Sequence, residues 1–385
     1  MRDGSVIRWL AASAAGLCLL ILPLGTMALG AAALGAADLA PASRPGGRVL
    51  LDAHNCYPEN DQWTDRLDRA LSTGVPVAIE QDLAWYTDPA TSRSFSIISH
   101  GKPYTGREPV LKTHFFERVR PIVERALADP HPETWPLIVL NLDFKSNEPA
   151  HHAAVWATLG EYEAWLTTAA QAGTGAGADA RVMPLEVKPI LVLTGSADEQ
   201  ERSFSTSLPA GAKLRLFGAI RVDPPARIGK GEQLVDRLVE VTPEEAVPTK
   251  ATNYRRWTNY PWAIVERGGQ VKAGDWTAAD RQRLDALVSR AHASGLWIRF
   301  YTLNGHTGNG HAGNGQAGTK GNGWTDSYNF GSETAAAARW RAAMEAGVDF
   351  IATDQYEGLA ALLKTRSAGA LVPSTPKAGV KGGRR

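Results

Sequence analysis

The sequence predicts a single closed (β/α)8 barrel. Eight short apolar runs, rich in β-branched residues, recur between positions 48 and 363 of the 385-residue chain. Each run ends in polar residues, and amphipathic segments with helical spacing, several of them ending in glycine, lie between the runs. Strands that alternate with helices pair in parallel. Eight such units over about 320 residues match the size of a closed α/β barrel.

The predicted strands follow in chain order. They cover residues 48–55, 75–82, 136–145, 189–195, 213–220, 261–266, 296–304 and 348–354. The sixth run, PWAIVE, has the weakest pattern, and without it an open doubly wound sheet would fit instead. After the second strand, a turn-rich stretch leads into an apolar run that ends at His100. This stretch predicts a hairpin-like excursion that returns a histidine to the mouth of the barrel.

The two ends of the chain are not predicted as parts of the barrel. Residues 9–37 carry no charge and follow Arg2 and Arg8, which is the pattern of a signal peptide. An uncleaved membrane anchor is the alternative, since the run exceeds the ~20 residues that span a bilayer. We expect an exported protein, secreted, periplasmic or in the cell envelope, with a leader or anchor over 1–37. A linker over 38–47, the barrel over 48–365 and a disordered basic tail over 366–385 complete the predicted organisation.

The composition limits the classes of function. The chain has 41 Lys and Arg against 40 Asp and Glu, so its net charge of +1 provides no field for holding nucleic acid. Its 44% hydrophobic and 21% charged residues are ordinary for a globular protein and exclude a disordered chain. Of the two cysteines, Cys18 falls in the leader, so Cys56 would have no intramolecular disulfide partner after cleavage.

Polar residues at the ends of the predicted strands indicate the site, because catalytic groups of such barrels lie at the carboxyl ends of strands. Residues two apart on a strand share a face. Three carboxylates and an amide oxygen make an oxygen-only site, suited to Ca²⁺ or Mg²⁺ rather than zinc. Two flanking histidines could serve as acid and base. The residues concerned are His54, Asn55, Glu80, Asp82, His100, Asp143, Lys145, Arg299 and Tyr301.

The order His-Asn, Glu-x-Asp, His about twenty positions later, and acid-x-Lys resembles the PLC-like phosphodiesterase superfamily. That superfamily includes phosphoinositide-specific phospholipases C and glycerophosphodiester phosphodiesterases. The resemblance spans roughly residues 48–362, since WIRFYTLN and GVDFIATDQYEGL look like its seventh and last strands. It implies that His54 and His100 are the catalytic histidines. The metal ligands that it implies are Asn55, Glu80, Asp82 and Asp143.

The motifs point to both branches of this superfamily. The pair His54-Asn55 and the motif Arg299-x-Tyr301 look more like the calcium-dependent phospholipase C branch, where Arg and Tyr hold an inositol headgroup. The motif Asp143-x-Lys145 looks more like the glycerophosphodiesterase branch, with Asp where Glu is usual. The resemblance therefore implies a divalent cation, Ca²⁺ in preference to Mg²⁺. It implies a phosphodiester or phospholipid headgroup as substrate, with transient contact to a membrane surface.

The expected mechanism is phosphoryl transfer assisted by the two histidines. We expect His100 to protonate the leaving group and His54 to contact the phosphate, with Lys145, Arg299 and Tyr301 binding substrate. The nucleophile is either a neighbouring hydroxyl of the substrate, which gives a cyclic phosphate, or water. Two other classes stay open: a barrel glycosidase, which also uses paired carboxylates, and a member of the superfamily that binds a headgroup without turnover.

Two further features carry expectations. Residues 304–323 repeat a five-residue unit rich in Gly and Asn, which predicts a flexible loop over the mouth. Four histidines outside the strand ends fall on helix-like or turn-rich stretches and are expected at the surface. They are His114, His131, His151 and His152.

Overall fold

The structure, a computed structural model, describes residues 41–59, 61–173, 182–306 and 328–370. Its strands are β1 (Leu50–Ala53), β2 (Val77–Thr87), β3 (Ser94–Ile98), β4 (Ile138–Phe144), β5 (Thr168–Ala170), β6 (Leu185–Glu186), β7 (Ile190–Thr194), β8 (Lys213–Leu214), β9 (Phe217–Ala219), β10 (Arg255–Pro261), β11 (Trp297–Tyr301) and β12 (Phe350–Thr353). Its α-helices are α1 (Arg66–Ser72), α2 (Glu117–Ala128), α3 (Pro149–Glu161), α4 (Asp198–Glu201), α5 (Glu232–Arg237), α6 (Pro243–Ala246), α7 (Gly269–Lys272), α8 (Ala278–Ala293), α9 (Glu333–Ala346) and α10 (Tyr356–Ala370).

Eight of these strands close into a parallel barrel. Around the barrel the order is β1-β12-β11-β10-β9-β7-β4-β2, and the pairing of β2 with β1 closes the ring. The longest register joins β2 and β4, from Val77 opposite Ile138 to Leu83 opposite Phe144. The predicted (β/α)8 barrel is confirmed.

Helices cover the barrel and leave its strands buried on both faces. All four residues of β1 and all five of β7 are buried, and parallel strands in this position are nearly continuous apolar runs. Helix α8 begins at a capping box, in which the Thr277 hydroxyl accepts from the Asp280 amide and the Asp280 carboxylate accepts from the Thr277 amide. Its buried side includes Leu284 and Leu287. The alternation of buried runs and capped helices is therefore visible in the sequence.

The sixth strand lies before the predicted one. The prediction over 261–266 is wrong, because the strand is β10 and Trp262–Ile264 form a 3-10 turn. The hydropathy pattern does not reveal β10, because this strand begins with two arginines. Both have partners: Arg255 pairs with Glu201 at 2.6 Å, and Arg256 donates to the Met183 carbonyl at 2.7 Å. Partnered in this way, the two arginines are accommodated in a barrel strand.

The predicted fifth strand divides in two. Its last part, β9, belongs to the barrel, whereas its first part, β8, pairs with β5 in a small antiparallel sheet of order β6-β5-β8. Side chains of this sheet, Ala169, Leu185 and Leu214, share a buried cluster with Leu50 and Phe350 at the beginnings of β1 and β12. The small sheet therefore packs on the amino-terminal end of the barrel, away from the strand ends where the polar residues lie.

The excursion after the second strand is a hairpin, as predicted. Strand β2 continues to Thr87 and pairs antiparallel with β3, from Leu83 opposite Ile98 to Thr87 opposite Ser94. The Ser99 amide then donates to the Asp82 carbonyl at 3.0 Å. This bond fixes the chain just before His100 beside the carboxyl end of β2.

Several sequence predictions lie outside the described residues. They are the leader or anchor over 1–37, most of the Gly/Asn-rich loop over 304–323 and the tail from 371 onward. Helix α10 continues to Ala370, so residues 366–370, predicted as part of a disordered tail, are helical. Among the helices in the described ranges, none is both long enough and apolar enough to cross a membrane.

Candidate metal-dependent active site

A polar cavity of about 510 Å³ opens at the carboxyl ends of the barrel strands. Its wall contains all nine side chains singled out in the sequence, from His54 to Tyr301. The alternation of strand residues explains this convergence, since Glu80 and Asp82 share one face of β2 and Arg299 and Tyr301 share one face of β11. The other lining residues, to which sequence reasoning assigned no role, are Asn141, Leu142, Gly195, Trp257, Asn259 and Tyr328.

Three carboxylates gather at one side of the cavity. Glu80, Asp82 and Asp143 each offer an oxygen within 4.8 Å of the others. Asp82 and Asp143 occupy opposite positions of β2 and β4, which brings them together. The Oδ1 atom of Asp82 is buried and has no hydrogen-bond partner among the described residues. A buried carboxylate oxygen normally has a hydrogen-bond partner. The unpartnered Oδ1 of Asp82 therefore marks a position where a bound group is missing.

The charges around this cluster do not balance. Within the described part of the chain, the four carboxylates of Asp52, Glu80, Asp82 and Asp143 face two permanent cations, Arg299 and Lys145. Burial and the carboxylates of Asp143 and Glu80 raise the pKa of Asp82 to about 7, although Lys145 lowers it. When all four carboxylates are ionised, the two uncompensated negative charges equal the charge of one divalent cation, and oxygen-only donors suit Ca²⁺ or Mg²⁺.

Asn55 lies beside this cluster in a left-handed backbone conformation, with φ of +46°, which Asn tolerates better than most residues. Its backbone amide donates to Glu80 Oε2 at 3.3 Å. The Tyr57 hydroxyl lies 2.8 Å from Asn55 Oδ1 and 2.7 Å from Asp82 Oδ2 and donates its single proton to one of them at a time. Tyr57 therefore links two of the predicted metal ligands.

Lys145 bridges two of the carboxylates. Its ammonium lies 2.8 Å from Asp82 Oδ2 and 2.6 Å from Asp143 Oδ2. Burial lowers the pKa of Lys145, but Asp82 and Asp143 outweigh burial and raise it above its usual value. Lys145 is therefore a permanent positive charge in the cavity wall.

His54 is held by a buried carboxylate that sequence reasoning did not assign. Its Nδ1 lies 2.8 Å from Asp354 Oδ1, and its Nε2 lies 3.8 Å from Glu80 Oε2. Asp354 Oδ2 accepts from Asn304 Nδ2 at 2.6 Å, which orients the carboxylate. Burial lowers the pKa of His54, but the carboxylates of Asp354 and Glu80 outweigh burial and raise it. These two carboxylates therefore favour the imidazolium form of His54.

His100 differs from His54 in its exposure and in the direction in which its pKa is shifted. It is exposed at the cavity edge, and partial burial and the positive charge of Lys145 lower its pKa below 6.5. The two predicted catalytic histidines therefore share one cavity but differ in their preferred protonation state.

Arg299 is almost fully engaged within the wall. Its guanidinium donates to Asp52, to Glu80 Oε2 at 3.1 Å and to Asn259 Oδ1 at 3.1 Å. Burial lowers the pKa of Arg299, but Asp52 and Glu80 more than offset this. In this arrangement Arg299 fixes the position of Glu80.

Aromatic side chains complete the mouth. Tyr301 and Tyr328 meet edge to face with ring centroids 6.3 Å apart, and Tyr328 also meets the His54 ring at 5.7 Å. The Arg299 guanidinium lies 5.6 Å from the centre of the Tyr301 ring. These rings provide an apolar surface beside the carboxylates, which suits a sugar or cyclitol face.

The sequence held signals for some of the unassigned residues. Tyr57 follows the His-Asn pair closely, and Asp354 ends the eighth predicted strand, where a polar residue is expected to face the mouth. Asp52 shares the inward face of β1 with His54. Asn259 offered no signal because its strand was misplaced. The expectation that four other histidines lie at the surface is confirmed only for His131; the remaining three, His114, His151 and His152, are buried.

Comparisons with known proteins give distant similarity. No protein-family model and no curated protein matches the sequence. Among solved structures, the chain is similar to a glycerophosphoryl diester phosphodiesterase from Parabacteroides distasonis, with 11% identity, a TM-score of 0.36 and coverage of 86% of this chain and 90% of that one. It is similar to a calcium-dependent phosphoinositol-specific phospholipase C from Pseudomonas sp., with 13% identity, a TM-score of 0.42 and coverage of 83% and 92%.

Both of these proteins are PLC-like phosphodiesterase barrels, the group that the motifs resemble. The HPPK-DHPS triple mutant of Plasmodium falciparum is also similar, with 7% identity, a TM-score of 0.41 and coverage of 85% of this chain and 48% of that one. Similarity at this level does not distinguish one reaction from another. The assignment of a function therefore depends on the residues of the site.

Proposed function

We propose that this chain is a phosphodiesterase that requires a divalent cation. The observation that carries the proposal is the carboxylate cluster of Glu80, Asp82 and Asp143, with its unpartnered buried oxygen. His54 and His100 lie in the wall of the same cavity. This combination matches the needs of phosphoryl transfer, in which a cation and fixed positive charges stabilise a phosphate while acid and base groups move protons.

The residues fit a hard cation. Glu80, Asp82, Asp143 and the Asn55 amide oxygen would hold it, and Ca²⁺ accepts such an irregular set of carboxylate and amide oxygens more readily than Mg²⁺. When bound, the cation would neutralise charge on a phosphoryl oxygen and lower the pKa of an attacking hydroxyl. Lys145 already neutralises part of Asp82 and Asp143 and would remain available to a second phosphate oxygen.

The two histidines divide the proton chemistry. Asp354 holds His54 by Nδ1, so Nε2 faces the cluster and can donate to a phosphate oxygen. His100, at the cavity edge, protonates the leaving group. Because burial and Lys145 lower its pKa, its acid form is depleted as the pH rises above that value, and the rate through this step falls with it. Arg299 and Tyr301 bind the headgroup.

The substrate in this proposal is a phosphoinositide-like compound or a glycerophosphodiester, met by an exported protein in transient contact with a membrane surface. The uncharged leader after Arg2 and Arg8 supports export. Phosphorus NMR of the product distinguishes a substrate hydroxyl from water as nucleophile, since only the former gives a cyclic phosphate.

A chelation experiment tests the function. We expect the protein to hydrolyse bis(p-nitrophenyl) phosphate or glycerophosphoinositol, to lose activity in excess chelator and to regain it with Ca²⁺ or Mg²⁺. Aryl glycosides serve as the contrast, since a barrel glycosidase would also use paired carboxylates. Undiminished activity after full chelation contradicts the cation requirement, and turnover of glycosides alone contradicts the reaction class.

A further inference from the structure

A second cavity lies next to the reaction cavity. It has a volume of about 230 Å³. None of the described residues that line it carries a charge, whereas acidic and basic side chains dominate the wall of the reaction cavity. Its apolar wall is formed by Ile220, Val222, Leu234, Leu238, Val241 and Ile264.

The position of this apolar cavity is set by β10. Residues 258–261, the carboxyl-terminal part of β10, all line it. It lies at the carboxyl end of the barrel, beneath α5 and the turn Leu238–Glu240 in the long connection from β9 to β10. It is therefore on the same end of the barrel as the carboxylate cluster.

The two cavities share a wall residue. Asn259 lines both of them. Its Oδ1 accepts from Arg299 at 3.1 Å, and Arg299 donates to Glu80 at 3.1 Å. Only two side chains, Asn259 and Arg299, therefore separate the apolar cavity from the first carboxylate of the cluster, so the two cavities are immediate neighbours.

We propose that the apolar cavity binds the hydrocarbon part of an amphiphilic phosphodiester whose phosphate lies at the Glu80, Asp82 and Asp143 cluster. The charged and uncharged walls complement the two ends of such a molecule, and a purely polar glycerophosphodiester would leave the apolar cavity without a partner. This inference rests on the proposed phosphodiesterase function and narrows its substrate to one with an apolar ester group.

The size of the cavity sets the expected chain length. A water-sized group takes about 30 Å³, so the cavity holds roughly eight groups of the size of a methylene. Each methylene that leaves water is worth about fourfold in kcat/KM, which is ~0.8 kcal/mol converted at 1.36 kcal/mol per tenfold. Leu234 and Leu238 are only half-buried, so the gain expected for this open wall is about two- to fourfold per methylene.

A chain-length series tests the proposal on the full-length protein with its cation. The substrates are p-nitrophenyl alkyl phosphates from methyl to dodecyl, all below the concentration at which they aggregate. We expect kcat/KM to rise with chain length and to level off near octyl. Calorimetric binding of the corresponding alkyl phosphates should follow the same series, and this measurement does not depend on turnover.

Matched variants locate the effect in the cavity. Leu234→Gln should remove most of the gain from chain length and leave hydrolysis of the methyl ester unchanged. Val235→Gln is the control, because Val235 lies on the same helix but is 44% exposed and does not line the cavity. Val222→Phe, which fills the cavity from a half-buried position, should shift the levelling-off to shorter chains even if Leu234→Gln proves unstable.

The outcomes separate the two proposals. If the methyl ester is hydrolysed and neither kcat/KM nor binding changes with chain length, the apolar cavity is not a substrate site and the phosphodiesterase assignment stands. A rise that occurs only above the aggregation concentration indicates surface attachment and overturns the cavity assignment. If no alkyl ester is hydrolysed but glycerophosphoinositol is cleaved to a cyclic phosphate, the nucleophile is the substrate hydroxyl and the phosphodiesterase assignment stands. If neither is cleaved, the proposed function fails. In both cases the binding series alone decides whether the cavity takes hydrocarbon.

Discussion

Replacing Asp354 by Asn should remove the positive charge of His54 without disturbing the fold. Asp354 Oδ2 accepts from the Asn304 amide at 2.6 Å, so in the variant the carbonyl oxygen of the new side chain would keep that place and its NH₂ group would face His54 Nδ1. That NH₂ group can only donate, which fixes His54 as the neutral tautomer with its proton on Nε2. The pKa of His54 should then fall, because burial would no longer be outweighed by Asp354.

The expected loss follows from one hydrogen bond. The contact between His54 Nδ1 and Asp354 Oδ1 is 2.8 Å long and buried. A hydrogen bond to a charged group contributes about 1.5–3 kcal/mol, which corresponds to roughly a 10- to 150-fold loss in kcat at 1.36 kcal/mol per tenfold. The assay is steady-state hydrolysis of bis(p-nitrophenyl) phosphate at saturating cation, with circular dichroism to verify folding.

A control residue flanks the same strand, β12. Asp349 immediately precedes β12 at its other end, and its carboxylate pairs with His292 Nε2 at 2.9 Å. Asp349→Asn changes a second aspartate–histidine pair that does not line the reaction cavity. It also removes one of the two backbone hydrogen bonds that the Asp349 carboxylate accepts from Gly46 and Ile298. We expect it to lower thermal stability and to leave kcat within about threefold of the parent value. A loss of activity equal to that of Asp354→Asn, or an Asp354→Asn variant with near-normal kcat, would refute this reasoning.

Two further predictions concern the cation. Tyr57→Phe removes the hydroxyl between Asn55 and Asp82 and should raise the cation dissociation constant about 10-fold or more, with kcat at saturating cation unchanged; a lowered kcat at saturation contradicts this supporting role. Cation binding should also weaken as the pH falls below about 7, by up to tenfold per pH unit, because the proton that Asp82 gains competes with the cation. Calorimetric titrations from pH 5.5 to 8.5 measure this slope, and an affinity that stays constant over that range contradicts the competition between a proton on Asp82 and the cation.

The sequence was sufficient for the barrel because most of its strands are buried on both faces and are therefore apolar. It was insufficient for β10, whose two arginines find partners only in the folded chain: Glu201 pairs with Arg255, and the Met183 carbonyl accepts a hydrogen bond from Arg256. The apolar residues 262–264 predict a strand, but they are buried in a 3-10 turn. Hydropathy indicates that a segment is buried, but it does not distinguish a buried strand from a buried turn.

The same distinction applies to the site. Residues whose role follows from their own strand, such as Glu80 and Asp82, were predicted from spacing two positions apart. Residues whose role follows from pairing between distant strands were not assigned, and Asp354 and Asp52 are examples. Likewise His151 was expected at the surface, although it is buried against Ser96 and Ser146, with hydrogen bonds of 2.9 and 3.2 Å that no local pattern reveals.

The pairing of the first strand with the last has a consequence for biosynthesis. His54 and Asp354 are 300 residues apart in the chain, and they meet only because β1 pairs with β12. A growing chain therefore carries its carboxylate cluster long before it carries the partner of His54. The pair of His54 and Asp354 forms only when the barrel closes, so a nascent or truncated polypeptide that ends before β12 has the residues of the acidic cluster without the group that orients His54.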